Sequence, residues 1–183
     1  MKTVVTVYAD KPDFNQSNAL IIYSITYLAS HRGFNTIVIG GDNIPGVLKK
    51  INVVSYINSI PNVIVEKWVR ATDIAVVLSE ILHENFPRVI LCYGISCVLA
   101  AIPIKKYVTL KVVYVPSVND FLVLEEGDKL LSETYSSLIR YSLDYTDLVF
   151  DSETRIQNLI DKKVEKKSLF TGDLRVLEKF VLS

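Results

Sequence analysis

The sequence has little of what phosphate-binding and metal-binding domains need. Only 7 glycines occur among 183 residues, and they form neither a Gly-x-Gly-x-x-Gly fingerprint nor a Gly-x-x-x-x-Gly-Lys-Ser/Thr loop. This excludes dinucleotide binding in the usual mode and a P-loop. The 2 cysteines and 2 histidines lack zinc-ligand spacing. We therefore expect no metal and no cofactor, and we expect Cys92 and Cys97 to be reduced, buried thiols.

Excess charge and long apolar runs are also missing. The 20 basic and 20 acidic side chains cancel, so no clustered positive charge indicates nucleic-acid binding. No run of about 18 apolar residues predicts a membrane span. The N-terminal apolar run soon meets the charged side chains of Asp10, Lys11 and Asp13, which a signal peptide would not contain. We expect a cytoplasmic protein, and the scarcity of glutamine indicates a thermophilic source.

Apolar residues are abundant, at 50% of the chain, and their periodicity alternates between strand and helix. The run 4–9 predicts a buried strand, 17–31 an amphipathic helix and 35–40 a second strand, which together form one βαβ unit. Residues 45–60 fit a short helix and an edge strand. Further strands are predicted at 62–68, 88–94, 111–117, 147–152 and 167–172. Further helices are predicted from Thr72 to Pro87 and at 96–102, 128–145 and 153–163, with an apolar loop at 118–127 and a helical tail.

This alternation predicts an α/β fold: a doubly wound, mostly parallel sheet of six to seven strands with helices on both faces. Ligands of such sheets bind beyond the carboxyl ends of the strands. Ser96 lies at one such end, but the flanking pattern of a hydrolase nucleophile elbow is absent. We interpret Ser96 as the N-cap of the helix that follows.

The polar side chains at the predicted strand ends suit a hydroxyl-rich ligand. Asp120 follows the strand 111–117, and its carboxylate is the candidate catalytic base that accepts a proton from an acceptor hydroxyl. The alternative is that Asp120 only forms an Asx turn or caps a helix. The candidate acceptor-binding residues are Asp10, Asn15, Gln16, Ser17, Tyr93, Ser117 and Asn119.

Four segments, 28–43, 112–120, 133–160 and 168–174, carry a family resemblance. In this order they resemble the N-terminal, Rossmann-like domain of GT-B glycosyltransferases, in particular the retaining group that includes sucrose and mannosyl transferases. The segment 133–160, with its long helix and strand-end Ser-Glu, carries most of the likeness. Two features depart from the family pattern: Phe14 to Ser17 replace a glycine pair in the first loop, and Asn119 replaces a histidine.

The resemblance implies that residues 1–172 form an acceptor-binding domain and that 173–183 form a C-terminal helix or the start of a linker to a second domain. It further implies a sugar or lipid acceptor, with peripheral membrane contact as one option, and a partner that binds the nucleotide-sugar. That partner is a second domain or subunit, so we expect the chain to be inactive alone. The chain would then be a fragment of a longer enzyme, one subunit of a split transferase, or a reduced relative.

Two other hypotheses remain open from the sequence. A non-catalytic binding or assembly module could retain the same fold, because fold does not determine function. An unrelated flavodoxin-like or response-regulator-like domain is disfavoured, because a single Asp10 ends the first strand where an acidic cluster would be needed. The oligomeric state stays unpredicted.

Overall fold

The structure is a computed structural model that describes residues 2–15, 17–41, 44, 50–52, 62–84, 87–159 and 169–183. Seven strands occur in these ranges: β1 (Thr3–Tyr8), β2 (Asn35–Gly40), β3 (Lys50–Asn52), β4 (Pro87–Tyr93), β5 (Lys111–Val115), β6 (Leu148–Phe150) and β7 (Leu169–Thr171). Seven helices accompany them: α1 (Ser17–His31), α2 (Val63–Glu84), α3 (Ile95–Lys105), α4 (Val118–Glu126), α5 (Lys129–Leu143), α6 (Arg155–Leu159) and α7 (Leu174–Leu182).

The strands form one sheet in the order β3-β2-β1-β4-β5-β6-β7, and every pairing is parallel. One face carries a core built with α2 to α6, and the other carries a core built with α1 and α7. Strand residues alternate between the two cores, with Val5 and Val7 on the first and Val4 and Tyr8 on the second. The predicted doubly wound α/β fold is confirmed.

Two described segments of secondary structure differ from the prediction. Apart from β3, the short helix and edge strand predicted at 45–60 lie outside the described residues. Residues 63–68 begin α2 and are not a strand. Their β-branched residues favoured a strand locally, but as a helix they continue the buried stripe of Ala71, Ile74 and Leu78. Residues 118–126, predicted as loop, form α4 because Ser117 and Asp120 make a capping box.

The β4–α3 turn corrects two smaller predictions. A disulfide joins Cys92 and Cys97, whose Cα atoms are 5.2 Å apart, where the sequence predicted reduced thiols. The turn brings these residues together because it reverses the chain within five positions. Ser96 is not the N-cap of α3, since Gly94 occupies that position. The buried Ser96 hydroxyl has no hydrogen-bond partner among the described residues.

The chain's last helix packs against its first. Leu177 and Val181 of α7 are fully buried, and Arg32 beyond α1 pairs with Glu178 at 2.8 Å. Lys2 donates to the backbone carbonyl of Ser183 at 2.9 Å. Helix α7 therefore packs into the same core as α1. Within the described ranges, no helix has both the length and the apolar character of a membrane span.

Candidate functional site

The sheet reverses its winding between β1 and β4, which are neighbours at its centre. Connections leave this point in opposite directions, so a crevice is expected beyond the carboxyl ends of these two strands. Asp10 follows β1, Gly94 follows β4 and Ser117 follows β5. The candidate site is built on these three positions.

Gly94 lets the β4–α3 turn pack directly on the Asp10 carboxylate. Its φ is +91°, and a Cβ at this position would lie 2.6 Å from Oδ2 of Asp10. Both the backbone conformation and the close approach require glycine. The turn is held further by the Gly94 amide, which donates to the Val115 carbonyl at 3.0 Å.

Asp10 is buried and holds two cations from α2. The Lys67 ammonium lies 2.6 Å from Oδ1 of Asp10, and Nη1 of Arg70 lies 2.9 Å from the same oxygen. Arg70 also donates to the Ala9 carbonyl at 2.9 Å and pairs with Glu66 one turn earlier. Each buried charge therefore has a partner, as burial requires.

These ion pairs determine the protonation states of Asp10 and Lys67. Burial acts to raise the pKa of the Asp10 carboxyl, but Lys67, Ser117 and Arg70 together hold that pKa below its usual value. Burial acts to lower the pKa of Lys67, but the charge of Asp10 holds it above its usual value. Asp10 is therefore an anion and Lys67 a cation at neutral pH.

Ser117 connects the ion pairs of Asp10, Lys67 and Arg70 to Asp120. Its hydroxyl donates to Oδ2 of Asp10 at 2.5 Å and accepts from the Asp120 amide at 3.2 Å. The Ser117 amide donates in turn to Oδ2 of Asp120 at 2.9 Å. The capping box of α4 is thus hydrogen-bonded directly to the end of β1.

Asp120 is fully buried, and both of its carboxylate oxygens accept hydrogen bonds. The Tyr135 hydroxyl donates to Oδ1 at 2.5 Å, and the Tyr114 hydroxyl donates to Oδ2 at 3.0 Å. Burial raises the pKa of Asp120 above its usual value, with Lys67 opposing and the charge of Asp10 adding to the rise. Asp120 has the helix-capping role that was the alternative to a base, and neither oxygen is exposed to solvent.

The structure brings part of the predicted site together and leaves part of it at the surface. Asp10, Ser117, Asp120 and Tyr93 are all buried at the strand ends. Burial raises the pKa of the Tyr93 hydroxyl, and the ring of Tyr93 packs against that of Tyr8, with centroids 5.6 Å apart.

The remaining predicted residues lie on the rim. Three of them are exposed: Asn15, Ser17 and Asn119. The backbone amide of Asn15 donates to Oδ1 of Asp13 at 3.0 Å. The Ser17 hydroxyl lies 2.7 Å from that of Ser152, which connects α1 to the loop after β6. Gln16 lies outside the described residues.

Asn18, which was not among the predicted site residues, also forms hydrogen bonds with the loop after β6. Its Oδ1 accepts from the Ser152 amide at 3.0 Å, and its Nδ2 donates to Asp151 at 3.3 Å. Asp151 also accepts from the Ile156 amide at 2.9 Å. The start of α1 is therefore tied to the start of α6 by side chains that are largely buried.

Lys67 and Arg70 are the main residues that the sequence interpretation missed. Their signal was the spacing i, i+3 and i+7 from Lys67 through Arg70 to Ile74, which places all three on one helix face. Treating 62–68 as a strand separated the two cations from that face.

An open groove of about 530 Å³ lies near the starts of α2 and α5. Both helices run toward strands that begin at the opposite edge, so these starts lie on the side of the carboxyl ends. The lengths agree with this placement. A helix of 22 residues such as α2 is about 33 Å long, so it is longer than a strand of six residues such as β1, which spans about 20 Å. The groove is lined mainly by apolar side chains, among them Val63, Ile64, Leu130 and Leu131, with Asn62 and Asp128 at its polar parts.

No family model matches this chain, and comparison with curated protein sequences finds no significant match. Solved structures do match. Sucrose-phosphate synthase from Thermosynechococcus elongatus superposes with a TM-score of 0.68 at 8% identity, over 93% of this chain and 47% of that chain. A shorter chain of the same synthase matches with a TM-score of 0.63 at 8% identity, over 98% of this chain and 94% of that one. The fold is glycosyltransferase-like.

A third structure supports this result. The lipopolysaccharide outer core galactosyltransferase WaaB in its apo form matches with a TM-score of 0.57 at 12% identity, over 93% of this chain and 44% of that chain. The chain thus spans about half the length of WaaB and of the longer synthase chain. The predicted GT-B glycosyltransferase-like fold is confirmed.

Proposed function

We propose that this chain is the acceptor-binding half of a GT-B glycosyltransferase, related to the retaining sucrose and mannosyl transferases. A donor-binding domain or subunit would supply the nucleotide-sugar, and the chain alone would be inactive. The observation that carries the proposal is the likeness of more than nine-tenths of this chain to about half of two glycosyltransferases.

The exposed rim is the proposed acceptor contact. Asn15, Ser17 and Asn119 present amide and hydroxyl groups at the carboxyl edge of the sheet, and such groups pair with sugar hydroxyls. The buried Asp10, Ser117 and Asp120 would hold this rim in place. Asp120 would act as the base only in a state in which the first turn of α4 opens, because its carboxylate is enclosed.

Ligand-observed NMR with a panel of mono- and disaccharides tests the rim directly. Wild type should show saturation transfer to at least one saccharide, and the variant Asn15→Ala/Asn119→Ala should lose it. Asn158→Ala, an exposed asparagine on α6, is the control and should bind as wild type does. Absence of saccharide binding, or equal binding by all three proteins, would refute the proposal.

A binding or assembly module is the second candidate function, and one observation favours it. The charged groups of Asp10, Lys67 and Arg70 are buried and paired with one another, so none points at a substrate. This candidate predicts that Asp120→Asn leaves the biological activity unchanged. Transferase activity of the chain together with a donor-binding domain or subunit, falling in Asp120→Asn while the protein stays folded, would exclude it.

A further inference from the structure

A second cavity lies at the opposite edge of the sheet from the candidate site. It has a volume of about 630 Å³, a size typical of small-molecule sites. Its lining comes from the start of β4, the end of α3 with the loop that follows, the start of β5 and the residue before β6. Nothing in the proposed transfer reaction uses this cavity.

The charge of the cavity is strongly one-sided. Arg88, Lys105, Lys106 and Lys111 line it together with one carboxylate, that of Asp147. Three positive charges therefore remain uncompensated within its lining, in a chain whose net charge is zero. Gathering like charges in one concavity costs free energy unless an anion offsets it.

The Asp147 carboxylate already accepts hydrogen bonds from Lys105 and from the Val112 amide. The Lys105 ammonium lies 2.5 Å from its Oδ2 and 3.0 Å from the Tyr145 carbonyl. The Val112 amide donates to the same Oδ2 at 2.7 Å. Asp147 therefore fixes Lys105 in place, and the surplus charge is that of Arg88, Lys106 and Lys111.

Aromatic rings orient two of the surplus cations. The Lys111 ammonium lies 4.5 Å from the ring centroid of Phe180, and that of Lys106 lies 5.9 Å from the ring centroid of Tyr145. Such contacts restrict long side chains without neutralising them. Tyr107, 89% exposed, also lines this cavity.

We propose that this cavity binds an anionic ligand that bears phosphate groups. Arginine offers a planar fork and lysine a point charge, the two modes in which proteins hold phosphate oxygens. The phosphate could belong to a soluble molecule or to a lipid headgroup, since both present the same chemistry. The site is independent of the proposed transfer reaction, because it lies at the other end of the strands.

Calorimetric titration with inorganic pyrophosphate at constant ionic strength tests the soluble form. Sedimentation with phosphatidylcholine vesicles, with and without phosphatidic acid, tests the lipid form. Wild type should bind saturably in one of these arms, and Lys106→Gln/Lys111→Gln should weaken that binding by about tenfold or more. Lys129→Gln/Arg175→Gln, which removes two exposed cations at the other edge, should bind as wild type does.

Binding of pyrophosphate assigns the site to a soluble phosphate, and binding only to vesicles with phosphatidic acid assigns it to a headgroup. Circular dichroism confirms folding, and the exposed single variant Lys106→Gln gives a milder version of the test. No saturable binding in either arm, or equal weakening in both double variants, overturns the proposal.

Discussion

Asp10 and Asp120 are two buried carboxylates that are joined through Ser117 and shifted in opposite directions. The pKa of Asp10 is lowered by its cations, and that of Asp120 is raised by burial. A lowered pKa stabilises the fold above the unfolded value of about 4 and loses this effect as pH falls through the folded pKa. A raised pKa stabilises the fold at acidic pH and loses this effect as pH rises from the unfolded value through the folded pKa.

The two asparagine variants should therefore respond oppositely to pH. The stability advantage of wild type over Asp10→Asn should be largest near neutral pH and shrink below about pH 4. The advantage over Asp120→Asn should be largest in acid and shrink as pH rises. Urea unfolding at a series of pH values measures both, and parallel pH profiles for the two variants would contradict the assigned shifts.

Asp10 also decides whether two buried cations have a partner. Asp10→Asn leaves Lys67 and Arg70 without their shared anion, which should cost about 3–5 kcal/mol of unfolding free energy. Adding Lys67→Met should recover part of that loss, because it removes one unpaired charge. Denaturant unfolding of the two single variants and the double variant completes the cycle, and strict additivity would show that Asp10 and Lys67 do not interact.

Among the described residues, two glycines have a positive φ and provide a matched pair. Gly94 has φ +91°, and a Cβ there would collide with the Asp10 carboxylate, whereas Gly33 has φ +82° and a Cβ there would have nothing within 4 Å. Gly33→Ala should cost about 1–2 kcal/mol for the backbone alone, and Gly94→Ala should cost clearly more because of the clash. Thermal unfolding compares them, and equal losses would mean that the turn can move away from Asp10.

At the scale of single elements, the α4 cap has two roles that a second cap can separate. Asp128 caps α5 by accepting from the Leu131 amide at 2.9 Å, and Asp128→Ala should cost about 1 kcal/mol. Ser117→Ala removes a cap and also the hydrogen bond to Asp10, so it should cost more. The excess, measured by denaturant unfolding, estimates the link between α4 and β1, and no excess would mean that this link adds no stability.

The sequence predicted most elements, and its errors have identifiable causes. The first βαβ unit could be predicted because the spacing of apolar residues changes sharply between 4–9, 17–31 and 35–40. The start of α2 could not be predicted, because the β-branched residues Val63, Ile64 and Val65 favour a strand locally and only tertiary packing makes them helical. Asp10, Ser117 and Asp120 could be placed at strand ends. The two cations that pair with Asp10 could not be predicted without the start of α2, and the tyrosines that donate to Asp120 come from β5 and α5.

The whole molecule depends on α7 to complete one of its two cores. Leu177 is fully buried, whereas Leu174 on the same helix is 45% exposed. Leu177→Ala should lower the unfolding free energy by about 2–5 kcal/mol, and Leu174→Ala should change it by less than about 0.5 kcal/mol. Similar losses in the two variants would mean that α7 does not dock as the structure places it.

An acceptor-binding half of a transferase, as proposed, should bind saccharides and not nucleotide-sugars. Titration of the chain alone with both classes of ligand is the decisive measurement. The same preparation is titrated with the saccharide panel and with a panel of nucleotide-sugars. We expect saturable saccharide binding that Asn15→Ala/Asn119→Ala abolishes, and no binding of any nucleotide-sugar. Binding of a nucleotide-sugar by this chain alone, or the absence of saccharide binding, would show that the proposed division of labour is wrong.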